Sequence, residues 1–301
     1  MHPSIKRRNF VIIPIINALL VLVSSCGRPA ATDGTVIAFV GDVMIAGASG
    51  APRPAAVGET IKKGDTIRTG KLSQATIQVG SGILIKVLAD GALKMEALRT
   101  TGDCEISLVR GRVLSLVGRL SKGSVFRVKT KTSTASVRGT IFMVACDENG
   151  ASVAVAEGTV SVALSGTNET RDAGKGLAVD VGKTLTERPI TELESLYLRK
   201  IQIEEIIPDP GKQKRSAIDD ARKQVVARDR EIDRQIEEFF PMSLPEIKKR
   251  YGRVDEVRFY DGSVIRGVIL SRGATIIMNT PSGRISLPAV KVKYTGLAKG
   301  I

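Results

Sequence analysis

Short β-prone apolar runs, some alternating with polar residues, recur between about residues 35 and 186, and this sets the picture of the chain. The clearest stretch runs from Ser124 to Leu164. There SVFRVKT, SVRGTIFMVAC and ASVAVAEGTVSVAL are rich in Val, Thr and Ile and are punctuated by Gly139, Gly150 and Gly158. Such runs predict strands, with Asp147-Glu148-Asn149-Gly150 as a reversal between two of them. Similar short runs cover Thr35–Val40, Val43–Ile45, Gln74–Val79, Ile83–Leu88, Leu93–Leu98, Cys104–Leu108 and Val113–Val117. Asp90-Gly91 reads as a hairpin-type turn, and Gly58, Gly64 and Gly70 recur every six residues as turn positions. Each strand offers one apolar face, so the strands must pack together to hide those faces from water.

From about Pro189 the period changes. Leu193, Leu196, Tyr197 and Ile201 have helical spacing up to the break at Pro208-Asp209-Pro210-Gly211. A second helix is predicted from about Lys212 to Phe239, with one polar gap in its apolar stripe at Asp229. Pro241 to Pro245 is read as the end of the helices. Short strands with two-residue turns then return, at Asp261-Gly262, Arg272-Gly273 and Ser282-Gly283. The expected architecture is mainly β with a helical spacer. A β domain (33–186, a sandwich or a short β-helix-like stack) is followed by two helices forming a hairpin or spacer (187–240) and a small β barrel (241–301).

The first residues change the picture from fold to address. Lys6, Arg7 and Arg8 precede an almost wholly apolar run from Phe10 to Val23, too short to span a membrane comfortably. The ending Leu22-Val23-Ser24-Ser25-Cys26-Gly27 resembles a bacterial lipoprotein signal. It implies a signal peptide over 1–25, acylation of Cys26 with palmitate-type chains, and a tether over 26–32. Several acyl chains together hold a protein stably to a membrane. Gly27 in place of an acidic residue implies the outer membrane facing the periplasm, with the cell surface as the alternative. Loss of 1–25 takes three basic side chains and no acidic one, so the net charge of +14 becomes +11. A basic soluble part in this compartment suits anionic head groups, peptidoglycan or another anionic glycan. Nucleic acid is not the expected partner.

Within the β domain the order of elements resembles the FecR domain, a β-rich extracytoplasmic module. The matching pieces are Val57-Gly58 with Ile61, and Lys63-Gly64-Asp65-Thr66-Ile67-Arg68-Thr69-Gly70 with Ser73-Gln74-Ala75. Later come Leu108 to Val113, Phe126 to Thr130, Val137-Arg138-Gly139-Thr140-Ile141-Phe142 and Val155-Ala156-Glu157-Gly158-Thr159-Val160. The last two are the most specific. The resemblance singles out Gly64, Asp65, Gly70, Arg138, Gly139, Thr140, Glu157 and Gly158, each read first as a turn or close-approach position and second as part of a ligand-facing surface. The best-known members pass a signal from an outer-membrane metal-chelate transporter to a sigma factor. They resemble inner-membrane sensors with a cytoplasmic segment ahead of a transmembrane helix, whereas here the β domain follows a lipoprotein-like signal. The iron-signalling role is therefore not carried over. The region 241–301 weakly resembles an SH3-like or Sm-like small barrel.

Chemistry adds exclusions more than candidates. The single histidine is His2, inside the expected signal, so triads and histidine metal sites are excluded from the mature chain. Gly176 to Thr184 misses the phosphate-loop spacing by one residue. Beyond Cys26 there remain Cys104 and Cys146, read either as a disulfide or as two buried thiols. No enzyme activity, metal or cofactor is expected. The leading expectation is a non-catalytic, lipid-anchored envelope protein that binds a protein partner or organises a complex. A peptidoglycan- or glycan-binding lipoprotein, or a component of envelope signalling, is the alternative.

Overall fold

The computed structural model of the protein describes residues 33–48, 50–98, 104–120, 124–208 and 215–298. The expected signal peptide, Cys26 and the tether lie outside the described residues. Among those described, no helix is long and apolar enough to cross a membrane.

Seventeen strands form one hydrogen-bonded network that folds into two layers. The chain shuttles between them. Strand β1 (Gly34–Val40) opens the first sheet, and β2 (Val43–Ala46) and β3 (Arg53–Pro54) open the second. Strand β4 (Thr60–Ile61) returns to the first and β5 (Thr66–Thr69) to the second. Then β6 (Gln74–Val79) and β7 (Ile83–Val87) join the first, and β8 (Ala92–Ala97) the second. The long β9 (Cys104–Val117) belongs to both. Its first half lies between β8 and a parallel β10 (Phe126–Lys129) of the second sheet, and its last half between β7 and β12 (Thr140–Cys146) of the first.

The crossing falls at Gly111, which has φ +89° and whose added Cβ would lie 2.7 Å from the Gly91 Cα. A side chain there would meet both a left-handed backbone and a neighbouring main chain. The remaining strands continue the alternation. Strand β11 (Ser133–Val137) follows β10 in the second sheet and β13 (Ala151–Glu157) follows β12 in the first. The second sheet then takes β14 (Thr159–Leu164) and β15 (Thr170–Gly174), and the first takes β16 (Leu177–Val181) and β17 (Leu185–Pro189).

Inward positions of both sheets share one core. Ile45, Leu93 and Phe126 of the second sheet pack with Ile77, Val144 and Phe142 of the first. Phe126 and Phe142 meet edge to face, with ring centroids 6.2 Å apart. Aromatic pairs favour this geometry because the positive ring edge faces the negative ring face.

The outer face of the first sheet is covered as well. Helix α1 (Glu192–Gln202) and α2 (Arg215–Glu237) lie on it, with Leu196, Tyr197, Leu198, Ile201, Ile232 and Ile236 against Leu84, Leu114 and Met143. A sheet buried on both faces explains why β7 reads as an unbroken buried run, ILIKV. The helices therefore form a third layer of the domain rather than only a connection.

Two polar devices set that layer. Thr191 caps α1 in a reciprocal capping box with Glu194. Glu194 is gripped by both terminal nitrogens of Arg188 at 2.8 Å, and Arg188 also holds Asp180 on the neighbouring strand. Burial pushes the Glu194 carboxyl upward, but the Arg188 and Thr191 hydrogen bonds together outweigh it and hold the group below the usual range.

The second device is Lys86, the largest fully buried side chain of the described residues. Its Nζ lies 2.6 Å from Glu204 Oε1 and 2.6 Å from Asp229 Oδ2, and it donates to the Lys200 carbonyl at 3.3 Å. Gln74 donates to the same Asp229 oxygen and Thr76 to Glu204. Gln78 bonds the backbone of Ile207 twice, through Nε2 and Oε1. Three alternate residues of β6 thus read the helical layer across one face. The polar gap at Asp229 in the helix stripe is the anionic partner of a buried lysine.

The region after residue 240 corrects two expectations. Among the described residues there are three α-helices, not two. Helix α3 (Leu244–Tyr251) begins where Pro241 to Pro245 was expected to end helical structure. Ser243 caps it with Glu246 in a capping box, and Pro245 sits in the first turn, where a missing N–H costs no hydrogen bond.

The expected SH3-like or Sm-like barrel is also absent. Strands β18 (Asp255–Phe259), β19 (Val264–Ser271), β20 (Thr275–Thr280), β21 (Gly283–Pro288) and β22 (Val292–Leu297) form an open antiparallel sheet, ordered β21-β20-β19-β18-β22. The two edges carry no ladder between them. Strand β21 ends in Pro288, which has no N–H to offer, and a 3-10 turn at Ala289–Lys291 carries the chain to the opposite edge. Closure is also unnecessary for burial, because α3 lays Ile247 against Val254 and Val268.

Candidate functional site

The most family-specific segments meet at one end of the first sheet. In register, Ile141 of β12 lies between Leu116 of β9 and Glu157 of β13. That pairing brings residues 116–119, 138–141 and 157–159 to a common edge. They line an open groove of about 610 Å³. Gly158 has φ +80°, and an added Cβ would stand 2.5 Å from the Gly139 carbonyl oxygen and 2.9 Å from Thr140 Oγ1. The missing side chain at Gly158 thus lets the two turns touch backbone to backbone. Thr140 Oγ1 locks the contact by donating to the Thr159 carbonyl at 3.1 Å.

Arg138 and Glu157 project from these turns and are exposed, as is Arg119 from the end of β9. Among the described residues none of the three has an ion pair. Two guanidiniums and a carboxylate around an apolar strip of Leu116 and Ile141 suit the recognition of an extended, partly acidic protein segment. The groove is too open to exclude water from a reaction.

Gly64, Asp65 and Gly70 lie elsewhere, around β5 in the second sheet, and none lines the groove. Asp65 Oδ2 accepts from the Lys62 N–H at 2.9 Å while the Asp65 N–H donates to the Lys62 carbonyl at 3.1 Å, closing the turn from both sides. Gly64 donates to the Met95 carbonyl at 2.7 Å, and Gly70 donates to that of Asp42 at 2.9 Å. These positions hold turns against neighbouring strands.

Cys104 and Cys146 are buried and are not joined in a disulfide. Cys146 registers with Gly111, seven residues along β9 from Cys104. Roughly 20 Å of strand therefore separates them, far beyond disulfide reach. Burial, with Asp147 beside it, pushes the Cys146 thiol up, so it stays protonated. Among the described residues no group of three or more His, Cys, Asp or Glu side chains is placed to hold a metal ion.

Residues 65–161 match the family described as FecR protein. This part of the chain is a FecR-like domain. It comprises β5 to β14, including every strand of the groove. No curated protein matches the chain closely enough to count as a relative. Two crystal structures of a candidate anti-sigma factor from Parabacteroides distasonis ATCC 8503 are similar to it at 16% identity and a TM-score of 0.39. Each similarity covers 44% of this chain, and 64% and 63% of those chains. This chain thus spans less than two thirds of their length, and the likeness assigns no role to any residue.

Sequence reasoning had singled out Arg138 and Glu157 separately. It missed Arg119, and it had no means of joining three segments up to 40 residues apart. The one available signal was indirect: two family-specific pieces, each built on a glycine beside a charged residue.

Proposed function

We propose that this is a non-catalytic component of envelope signalling whose FecR-like domain docks a protein partner along the Arg138–Glu157 edge. The observation that carries this reading is the convergence of the two most family-specific segments on one exposed groove with unpaired charges. The FecR-family match over the strands that build this groove is what favours signalling over assembly alone.

A photo-crosslinking residue at position 138 in cells is expected to capture a discrete envelope protein. The yield should fall at least tenfold with Arg119→Glu. The same probe at exposed Arg171 should capture none. Equal capture at both positions, or none at 138, overturns the docking edge. An unchanged transcript profile on deletion of the gene, with capture intact, would leave assembly in place of signalling.

We further propose that the chain is lipid-anchored at Cys26, a reading that rests on Leu22 to Gly27. The Cys26→Ala variant is expected to leave the membrane fraction and to lose the acyl mass that the native chain carries at Cys26. A native chain that retains residues 1–25 and fractionates as soluble refutes the anchor.

A further inference from the structure

A second concave site lies apart from the Arg138–Glu157 groove and shares no lining residue with it. It is a cleft of about 860 Å³ between the edge of the β sandwich and α1–α2. That volume is typical of small-molecule sites. Its wall is apolar, formed by Val40, Leu88, Tyr197, Ile236 and Phe240. Two cations face it without a carboxylate partner among the described residues. Arg112 sits over the Tyr197 ring at 5.0 Å, and Arg230 projects from α2. The other charges of the lining are engaged, Lys200 with Asp233, Arg234 with Glu231 and Glu237 with Arg250. Asp90 is the remaining acid at the rim.

Leu72 stands out at the mouth. It is 87% exposed and holds φ +52°, a left-handed conformation that a leucine adopts at a cost. Its side chain packs in no core cluster, so folding gives no reason for leucine here. A glycine or asparagine would fit the turn with less strain. A strained, solvent-facing leucine at the rim of an apolar cleft is explained if the cleft has an apolar occupant.

We propose that this cleft binds a single-chain anionic amphiphile, with the acyl chain along Leu72, Leu88, Tyr197 and Phe240 and the anionic head on Arg112 and Arg230. The site is independent of the Arg138–Glu157 groove. It can therefore stand or fall separately from the docking proposal. Arg112 supplies a guanidinium already oriented by the Tyr197 ring, which suits carboxylate or phosphate geometry.

The test is calorimetric titration of the purified full-length chain with dodecanoate, dodecyl phosphate, dodecanol and a dodecyl trimethylammonium salt, each below its micelle concentration. One saturable site is expected for dodecanoate or dodecyl phosphate, and the tighter of the two identifies the head group. Dodecanol and the cationic chain should bind at least tenfold more weakly. Arg112→Gln with Arg230→Gln should weaken the anionic ligand at least tenfold. Ala89→Trp, which fills the half-exposed rim, should abolish binding. Leu72→Gly should weaken binding severalfold while leaving the melting temperature unchanged or higher, a pairing that no purely structural role of Leu72 produces. Equal binding of dodecanol, the absence of a saturable site, or a Leu72→Gly variant that melts lower with binding intact overturns the proposal.

Discussion

Replacing Lys86 with methionine is expected to destabilise the protein by about 3–5 kcal/mol, the usual cost of removing one partner from a buried ion pair. Lys86 is 1% exposed and is the cation facing both Glu204 and Asp229 at 2.6 Å. Without it, two carboxylates face each other in a buried site, and Asp229 Oδ1 already has no hydrogen-bond partner among the described residues. Neither acid is then compensated, and burial of an unpaired charge is among the most expensive changes available to a protein. The melting temperature should fall on the order of 10 °C.

The loss should be local first. The contacts broken join β7 to α1, α2 and the segment between them, so hydrogen exchange should rise in 192–237 before it rises in the β core. Replacing Lys86, Glu204 and Asp229 together with apolar residues of similar size should recover much of the loss, because it removes the charges along with their pairing. A triple variant no more stable than Lys86→Met would place the cost in the packing of the lysine stem instead.

The second large effect is expected for Phe142→Ala, which should cost about 3–5 kcal/mol through lost burial and the cavity left behind. Phe142 is fully buried on the inner face of the first sheet, and its ring meets Phe126 across the sandwich. The chain contains seven Phe and no Trp, so Val, Ile and Leu fill most of the core. Phe126→Ala should cost a similar amount. The double variant should lose less than the two single losses combined, by about 0.5–1.5 kcal/mol for the edge-to-face pair. Urea unfolding of the four proteins measures this directly. Strict additivity would mean that the ring pair contributes only its area.

Particular residues show how far the chain could be read in advance. The reversal at Asp147–Gly150 was legible, and β12 and β13 pair across it with Cys146 opposite Ala151. Asp90-Gly91 carried an equally strong turn signal, yet it joins β7 of one sheet to β8 of the other and forms no hairpin. A turn dipeptide reports a local reversal of the backbone and says nothing of which strand lies alongside afterwards. Pro245 was read as a terminator, but Ser243 and Glu246 around it form a capping box, which makes it a first-turn residue. In ILIKV the sequence does not reveal that a helical layer covers the face that carries the lysine. The turn roles of Gly64, Asp65 and Gly70 could be read from composition alone. The groove could not, since Arg119, Arg138 and Glu157 meet only through the register of β9, β12 and β13.

By itself the sequence determined the β-rich class, the helical stretch after Pro189 and the FecR-like signature between residues 65 and 161. It did so because strand and helix periods are properties of neighbouring residues, imposed by where each Cβ points along the backbone. Tertiary structure alone decided the rest. It assigned each strand to one of two sheets and sent β9 through both. It also buried Lys86 between two acids, left the C-terminal sheet open and opened a cleft beneath Leu72. Those outcomes depend on contacts between residues tens to more than a hundred positions apart. Closing a longer loop adds only slightly to its entropic cost, so which distant faces meet is decided by how well they pack and neutralise one another.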